Sequence, residues 1–217
     1  MKLSAKTFNV LKNFSTINPS ILIKEGSTLS TISSTKTILA KATVPDMFPC
    51  NVAIYDLSRF IRSVSLFENP DFDFGEKSVT IRDELRSIVY HYAEPSVILT
   101  PPDKQLKLPS VDVECVLTRD NLNSVMKALA VLGLPELALV GDGESVHLQA
   151  ADSKNTTADT YSIKIGDTDK TFRAVFRSEN LKLIDGDYST QISSKGLAHL
   201  TGPDASYYIA IESTSTF

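Results

Sequence analysis

The sequence predicts an α+β protein of two similar domains, each with two helices on antiparallel sheets, and three observations support this fold class. Predicted strands follow one another in runs instead of alternating with helices, which is typical of antiparallel sheets. The order helix, strands, helix, strands occurs twice in the 217 residues. The turn glycines of two corresponding hairpins, Gly26 and Gly143, are 117 positions apart, so the repeat period is about half the chain.

Two amphipathic helices are predicted in the first half, at about 4–15 and 56–66. In the second of these, Asp56 stands where an N-cap belongs, and apolar residues follow at positions i, i+3, i+4 and i+7. The residues expected to face the core are Leu3, Thr7, Val10, Leu11 and Phe14 in the first helix and Leu57, Phe60, Ile61 and Val64 in the second. Each helix therefore has an apolar side for a sheet and another side for solvent.

Segments of strand character surround these two helices. A hairpin is expected over 20–32 with its turn at Glu25 and Gly26, and another strand near 37–44. Strand character returns in three later segments, which are 72–83 with a turn at Gly75, 85–93 after a turn at Asp83, and 95–100.

The second half repeats this order. Thr118 is expected to cap a third helix, and a hairpin over 136–150 should turn at 141–143. A short fourth helix is predicted near 178–184. The apolar stripe of the third helix is Leu122, Val125, Met126 and Leu129, and the remaining strands are expected at 160–166, 171–176, 188–194, 197–202 and 207–213.

A proline-rich segment separates the two halves. Pro95, Pro101, Pro102 and Pro109 interrupt regular pairing and stiffen the chain. We therefore expect an N-terminal domain at 1–109, which includes a connector at about 100–109, and a C-terminal domain at 110–217.

The composition is that of an ordinary globular protein, with 42% hydrophobic and 22% charged residues. No run of about 18 apolar residues predicts a membrane span, and the first residues lack the apolar core of a signal peptide. Cys50 and Cys115 are far apart and lack metal-ligand spacing, which favours reduced thiols in a cytoplasmic protein. We expect no cofactor, no metal and no membrane partner.

Positive charge is concentrated on the predicted helices, although the net charge is −4. Residues 1–109 carry 13 Lys and Arg against 11 Asp and Glu, whereas residues 110–217 carry 9 against 15. The basic residues on helix sides opposite the apolar stripes, or flanking the fourth helix, are Lys2, Lys6, Lys12, Arg59, Arg62, Arg119, Lys127, Arg177 and Lys182. Such faces indicate a surface for nucleic-acid phosphates, which Lys and Arg bind without reading sequence.

Two other classes of function stay open on these patterns. An enzyme is one, but the sequence has no P-loop, G-x-G-x-x-G, H-E-x-x-H or G-x-S-x-G motif, and His91, His147 and His199 are scattered. A non-catalytic structural ring or virion protein is the other. It would share the sheet-rich pattern, but it has no need for basic residues on every helix.

Three segments resemble the sliding clamp, the DNA polymerase processivity factor, of T-even-type bacteriophages. These are "MKLS…T…LKNFSTIN…IL.K.G" at the start, "VAIYDLSRF…SLF" at 52–67, and "YYIAIESTSTF" at the end. The resemblance implies a non-catalytic homotrimeric ring of six similar domains in the cytoplasm of an infected bacterium. Helices would line a hole that encloses duplex DNA, and the ring would tether the replicative DNA polymerase. A clamp loader and late-transcription factors of the phage are further implied partners.

The same resemblance implies two protein interfaces, one between subunits and one for partner peptides. Free sheet edges must be blunted or paired, and pairing with copies at a fixed rotation closes a ring. The last strands of the first domain, around Ile88, Tyr90 and Tyr92 or at 97–99, are expected to pair with the strand of Tyr161 and Ile163 in a neighbouring subunit. A pocket for partner peptides is expected beside the connector, formed by Leu106, Leu108, Tyr208, Ile209 and Ile211.

Overall fold

In the computed structural model, which describes residues 1–104, 106–155 and 157–217, antiparallel strands follow one another in runs, as the sequence predicts. The chain divides into two units. Unit 1 comprises Met1–Gln105 with Asp204–Ser206, and unit 2 comprises Leu106–Pro203 with Tyr207–Phe217.

Unit 1 contains two α-helices and three small groups of strands. The helices are α1 (Ala5–Ile17) and α2 (Leu57–Val64). The strands are β1 (Ile21–Ile23), β2 (Gly26–Ile32), β3 (Ile38–Phe48), β4 (Val52–Ile54), β5 (Asp71–Phe74), β6 (Ser78–Arg82) and β7 (Ser87–His91). β1 pairs with β4, β2 pairs with β3, and β5, β6 and β7 form a three-stranded sheet in that order. The predicted turns at Gly75 and Asp83 are confirmed as the connections within this sheet.

Two strand predictions in unit 1 are wrong. The hairpin over 20–32 does not form, because β1 pairs with β4 while β2 pairs with β3. Gly26, at φ +115°, begins a different ladder, and the amide of Glu25 donates to Asn51 Oδ1 at 3.0 Å. The segment 95–100 is not a strand but begins with a 3-10 turn at Pro95–Val97, because proline suits the first position of a helical turn and lacks the N–H that a ladder needs.

The first helix begins at a cap made by two side chains. Ser4 Oγ accepts from the amide of Thr7 at 3.2 Å, and Asp46 Oδ2 accepts from the amide and the hydroxyl of Ser4 at 2.7 and 2.8 Å. The Thr7 hydroxyl, which is fully buried, also donates to Asp46. Burial opposes ionisation of Asp46, but these hydrogen bonds outweigh it and lower the pKa of its carboxyl. A carboxylate from β3 thus fixes where α1 begins.

The second helix is held as predicted. Asp56 Oδ1 accepts from the amide of Arg59 at 2.7 Å, which satisfies one of the free N–H groups at the helix start. Leu57, Phe60 and Val64 are buried on one side. The opposite side is left to solvent.

Among its described residues, unit 2 contains one α-helix and two runs of antiparallel strands. The helix is α3 (Arg119–Leu132), which Thr118 caps as predicted and Gly133 ends in the left-handed conformation. The strands are β8 (Val113–Leu117), β9 (Glu136–Asp142), β10 (Ser145–Ala151), β11 (Tyr161–Asp167), β12 (Thr171–Arg177), β13 (Tyr188–Ser193), β14 (Leu197–Thr201) and β15 (Ser206–Ala210). Within unit 2, neighbouring strands pair in the orders β11-β10-β9-β12 and β15-β14-β13-β8.

The predicted fourth helix is wrong in length and type. Only Ser178–Asn180 are helical, as a single 3-10 turn. The residues that follow, 181–187, are neither helix nor strand, although Leu181 and Ile184 are three positions apart, as in a helical stripe. Within the described residues the protein therefore has three α-helices, and the α+β class with antiparallel sheets is confirmed. Strand β8 had no counterpart among the predicted elements.

The cap on α1 yields a prediction about stability. Asp46→Asn should lower the free energy of unfolding by about 1 kcal/mol at pH 7, because an amide accepts hydrogen bonds more weakly than a carboxylate. The pKa of Asp46 is lowered in the folded state, so its contribution is present above the unfolded-state pKa and is lost as the pH falls through the folded-state value. The difference from wild type should therefore shrink below about pH 4 in urea denaturation.

The matched control is Asp73→Asn, which removes an exposed carboxylate on β5. It should leave the free energy of unfolding within about 0.5 kcal/mol of wild type. Equal losses from the two substitutions, or a loss from Asp46→Asn that persists at low pH, would contradict this role of Asp46.

Candidate nucleic-acid interface

The solvent side of α1 carries three lysines at its start and middle. Lys2 and Lys12 are exposed. Lys6 is half-buried, and its Nζ lies 2.9 Å from Asp204 Oδ1, with 38% and 33% of the two side chains exposed. The three cations predicted on this helix are therefore present, but one of them already has a carboxylate partner.

The solvent side of α2 carries both predicted arginines. Arg59 and Arg62 are exposed, while Leu57, Phe60 and Val64 anchor the other side of the helix. Arg62 lies in the last turn, where a positive charge is favoured by the helix dipole. One side of this short helix is thus buried, and the other side exposes two guanidinium groups to solvent.

The solvent side of α3 carries cations with acidic neighbours at its start. Arg119 and Lys127 are exposed, and Arg119 Nε lies 3.4 Å from Asp120 Oδ1. The amide of Arg119 donates to Asp187 at 2.7 Å. These carboxylates stabilise the helix N-terminus and reduce the positive potential there, so Lys127 is the better exposed charge of this helix.

The last two predicted cations do not lie on a helix. Arg177 is the final residue of β12, and its Nε lies 3.1 Å from Glu212 Oε1. Lys182 is half-buried and follows the 3-10 turn. The prediction of a fourth basic helix face is wrong, because the segment that should carry it is a single turn.

Five of the predicted cations are solvated and lack an ion pair among the residues that the structure describes. They are Lys2, Lys12, Arg59, Arg62 and Lys127. Exposed cations of this kind attract phosphates weakly and without sequence preference. In the same part of the chain, no group of three or more His, Cys, Asp and Glu is placed to hold a metal ion, and no helix is long and apolar enough to cross a membrane.

Strand β7 in unit 1 and strand β11 in unit 2 are edge strands, each with one side that has no ladder partner among the described residues. On β7, Tyr90 packs on Phe60 with ring centroids 5.1 Å apart, and its hydroxyl donates to the carbonyl of Asp56 at 3.3 Å. Ile88 is half-buried, and Val89 on the other face is 53% exposed. On β11, Tyr161 is 37% exposed and Ile163 is half-buried.

Tyr92 lies just beyond β7 and has a buried hydroxyl without a hydrogen-bond partner among the described residues. Burial raises the pKa of this phenol. Its hydroxyl is thus turned inward, and Val89 offers more surface to a neighbour than Tyr90 or Tyr92. Periodicity within β7 could have shown this, because Val89 alternates with the residues that face the core.

The connector lies against a pair of stacked rings in unit 2. The Tyr208 hydroxyl donates to the carbonyl of Leu106 at 2.8 Å, and the His199 ring stacks on Tyr208 with centroids 4.2 Å apart. Burial lowers the pKa of His199. Leu106 is exposed, while Leu108 is half-buried. His199 escaped the sequence prediction because a single strand histidine has no distinguishing pattern.

One residue predicted for the peptide pocket is not accessible. Ile209 is fully buried, since it occupies a core-facing position of β15. Ile211, two residues further on, is half-buried. Neighbouring residues of a strand face opposite sides, so Tyr208 and Ile209 cannot line the same surface.

Two family models match this chain, one in each half. The model described as DNA polymerase processivity factor matches residues 2–100. The model described as gp45 sliding clamp, C terminal, matches residues 114–213.

Relatives and solved structures agree with these matches. The sliding clamp of Vibrio phage KVP40 is 33% identical, over 98% of this chain and 99% of the relative. The sliding clamp of Enterobacteria phage T4 is 30% identical, over 100% of this chain and 99% of the relative. The PCNA of A. fulgidus, solved with the C-terminal region of FEN-1, has a TM-score of 0.72 at 12% identity and covers 99% of this chain and 98% of its own, which shows the fold.

These comparisons do not favour a virion protein. Both halves match models of one family, and the relatives align along almost the whole chain. The chain belongs to the sliding-clamp family of DNA polymerase processivity factors.

Proposed function

We propose that three copies of this chain form a closed ring around duplex DNA and hold the replicative DNA polymerase on its template. The observation that carries the proposal is the set of solvated cations on α1, α2 and α3 in a chain of net charge −4. Family membership supplies the context in which such helix faces have a use.

Weak contacts suit a protein that must move along DNA. Each solvated cation contributes under about 1 kcal/mol, and none of the contacts depends on base sequence. Retention then comes from the closed ring, because a ring cannot leave its duplex sideways. Carboxylates elsewhere on the chain repel DNA from the outer surface.

Ring closure would use the free sides of β7 and β11. Each strand has unpaired backbone groups on one side, and an exposed edge of this length is usually covered or paired. A head-to-tail pairing of β7 with β11 of the next copy closes into a ring if the rotation is 120°. Val89 and Tyr161 supply exposed apolar surface for that contact.

Partner proteins would dock beside the connector. Leu106, Leu108 and Tyr208 supply a mixed apolar and polar surface there, and His199 supports the ring of Tyr208. The A. fulgidus PCNA structure holds a C-terminal region of another protein, FEN-1. By analogy, the C-terminal peptide of the phage polymerase is the proposed occupant, and a clamp loader and late-transcription factors are proposed as further partners in the infected cell. We propose no catalytic activity for the chain.

The direct test is DNA synthesis on a primed circular template with the polymerase and loader of the same phage. Addition of this protein should lengthen the products made in one binding event. Products of unchanged length at saturating protein would contradict the proposed function.

Reversal of the solvated cations should impair loading and sliding. The variant changes four of them to Glu, namely Lys12, Arg59, Arg62 and Lys127. A ring of three copies then has twelve changed cations, and the loss of only four contacts of about 0.5 kcal/mol each already corresponds to a roughly thirtyfold loss of affinity for DNA. The salt dependence of binding to nicked circular DNA should also become less steep, because fewer counterions are released.

The matched control changes four other exposed lysines to Glu and so alters the net charge equally. These are Lys41, Lys77, Lys154 and Lys195. This control variant should keep most of its affinity for DNA and most of its loading and sliding. Similar losses in both variants would show that net charge alone matters and would remove the helix faces from the DNA-facing surface.

A proline in β11 should open the ring. Ile163→Pro removes one backbone donor and stiffens the strand, so light scattering should give about 23.8 kDa instead of three times that mass. Ile163→Ala, which keeps the donor, should remain a trimer. A folded Ile163→Pro variant, by circular dichroism, that still has the trimer mass would place the subunit contact elsewhere.

Truncation of the connector leucines should weaken peptide binding. Leu106→Ala with Leu108→Ala should cost about 2 kcal/mol, or roughly thirtyfold in affinity for a labelled C-terminal peptide of the phage polymerase, as loss of a buried anchor commonly does. Leu85→Ala is the control, because Leu85 is 93% exposed on the β6–β7 turn. Unchanged affinity of the connector variant, with the trimer intact, would move the pocket away from the connector.

A further inference from the structure

Unit 1 has an apolar groove between α1, α2 and β5, and no described residue of the connector lines it. Its volume is about 560 Å³, within the range of pockets that hold small ligands or single anchoring side chains. Its larger apolar lining residues are Leu3, Phe8, Ile61, Val64, Phe67 and Phe72. Phe8 and Phe72 contact each other with ring centroids 6.1 Å apart, so this part of the lining is already formed in the free chain.

The lining of this groove also carries positive charge. Lys2 and Lys12 belong to it, together with the polar side chains of Asn9, Ser65 and Asn69. No Asp or Glu is among the lining residues that the structure describes. Lys2 also lines a neighbouring pocket that contains Glu68, Asp71, Asp83 and Glu84, so Lys12 supplies the clearer positive charge. The occupant of the groove should therefore combine negative charge with apolar surface.

The corresponding groove of unit 2 is different. It has a volume of about 230 Å³ and is closed in by the segment from Leu181 to Gly186. It also contains Asp185, whose Oδ1 accepts from Asn123 at 3.2 Å. Phosphates of DNA would contact the cations of both units, but they gain no affinity from apolar surface. Contact with DNA therefore does not explain the apolar lining of the groove in unit 1.

We propose that the groove of unit 1 is a docking site for an acidic peptide segment of a partner protein. A large apolar side chain of the peptide lies against Phe8 and Ile61, and its flanking carboxylates lie near Lys2 and Lys12. Desolvation of the anchor supplies most of the affinity, and the opposite charges speed association and fix the register.

This site would be available only on clamps that hold no DNA, a consequence that rests on the proposed function. Lys2 and Lys12 belong to the proposed DNA-facing set, so the peptide and duplex DNA would compete for them. A partner that docks there would distinguish free rings from loaded ones.

The test uses three fluorescein-labelled hexapeptides and the intact wild-type assembly without DNA. DEFLDD has the proposed chemistry, DESSDD keeps the charge without the anchor, and KRFLKR keeps the anchor with reversed charge. In fluorescence anisotropy, DEFLDD should bind at least about tenfold more tightly than DESSDD or KRFLKR.

Two substitutions in the groove test its location. Ile61→Glu places a charge in the lining, and Asn9→Trp fills the groove from an exposed position. Each should weaken binding of DEFLDD by about tenfold or more. The matched substitutions in unit 2, Met126→Glu and Asn123→Trp, should leave it unchanged. Circular dichroism and light scattering show whether each variant keeps its fold and assembly.

Equal binding of DEFLDD and DESSDD would mean that only the charges act and that the groove belongs solely to the DNA-facing surface, which overturns the proposal. Unchanged binding by the folded Asn9→Trp variant would overturn it as well. Either result leaves stimulation of DNA synthesis untouched, because no DNA or polymerase is present in this experiment.

Discussion

Burial of one apolar side of each helix is the constraint on which the rest of this structure depends. Val10, Leu11 and Phe14 of α1 and Leu57 of α2 are fully buried, and each such side chain contributes about 1.5–3 kcal/mol. This burial fixes the rotation of each helix about its axis, so the opposite side must face solvent. Arg59 and Arg62 therefore face solvent, because Leu57, Phe60 and Val64 hold the other side of α2 in the core.

Nearby carboxylates reduce the positive charge at some positions of the helix faces. Asp204 pairs with Lys6 and Asp120 lies beside Arg119, while Lys12 and Lys127 have no such partner among the described residues. Solvated pairs are weak, so a phosphate can replace the carboxylate at little cost. Mobility on DNA requires many weak contacts of this kind, and a few strong ones would hold the ring in place.

Local patterns could be predicted from the sequence, and distant pairings could not. The caps at Asp56 and Thr118, the helix stripes and the turn at Gly75 depend on residues a few positions apart, and the structure confirms them. Strand β1 pairs with β4, which lies about 30 residues further along the chain, and no local pattern indicates that pairing. The predicted hairpin over 20–32 was wrong for this reason. Asp46 as a cap for α1 has no signal in the sequence. The turn at Ser178–Asn180 had helix-like composition, but it lacks the length over which a helix becomes stable.

The ion pair between Lys6 and Asp204 also bears on how the chain reaches this fold. The segment Asp204–Ser206 packs with unit 1, although nearly the whole of unit 2 precedes it in the sequence. Unit 1 therefore cannot complete its contacts during synthesis until residues 204–206 have left the ribosome. Until then Lys6, in the first turn of α1, lacks its carboxylate partner, which lies almost 200 residues further along the chain, and contacts of such separation form late and slowly. Completion of unit 1 in a nascent chain is thereby delayed until nearly all of unit 2 has been made.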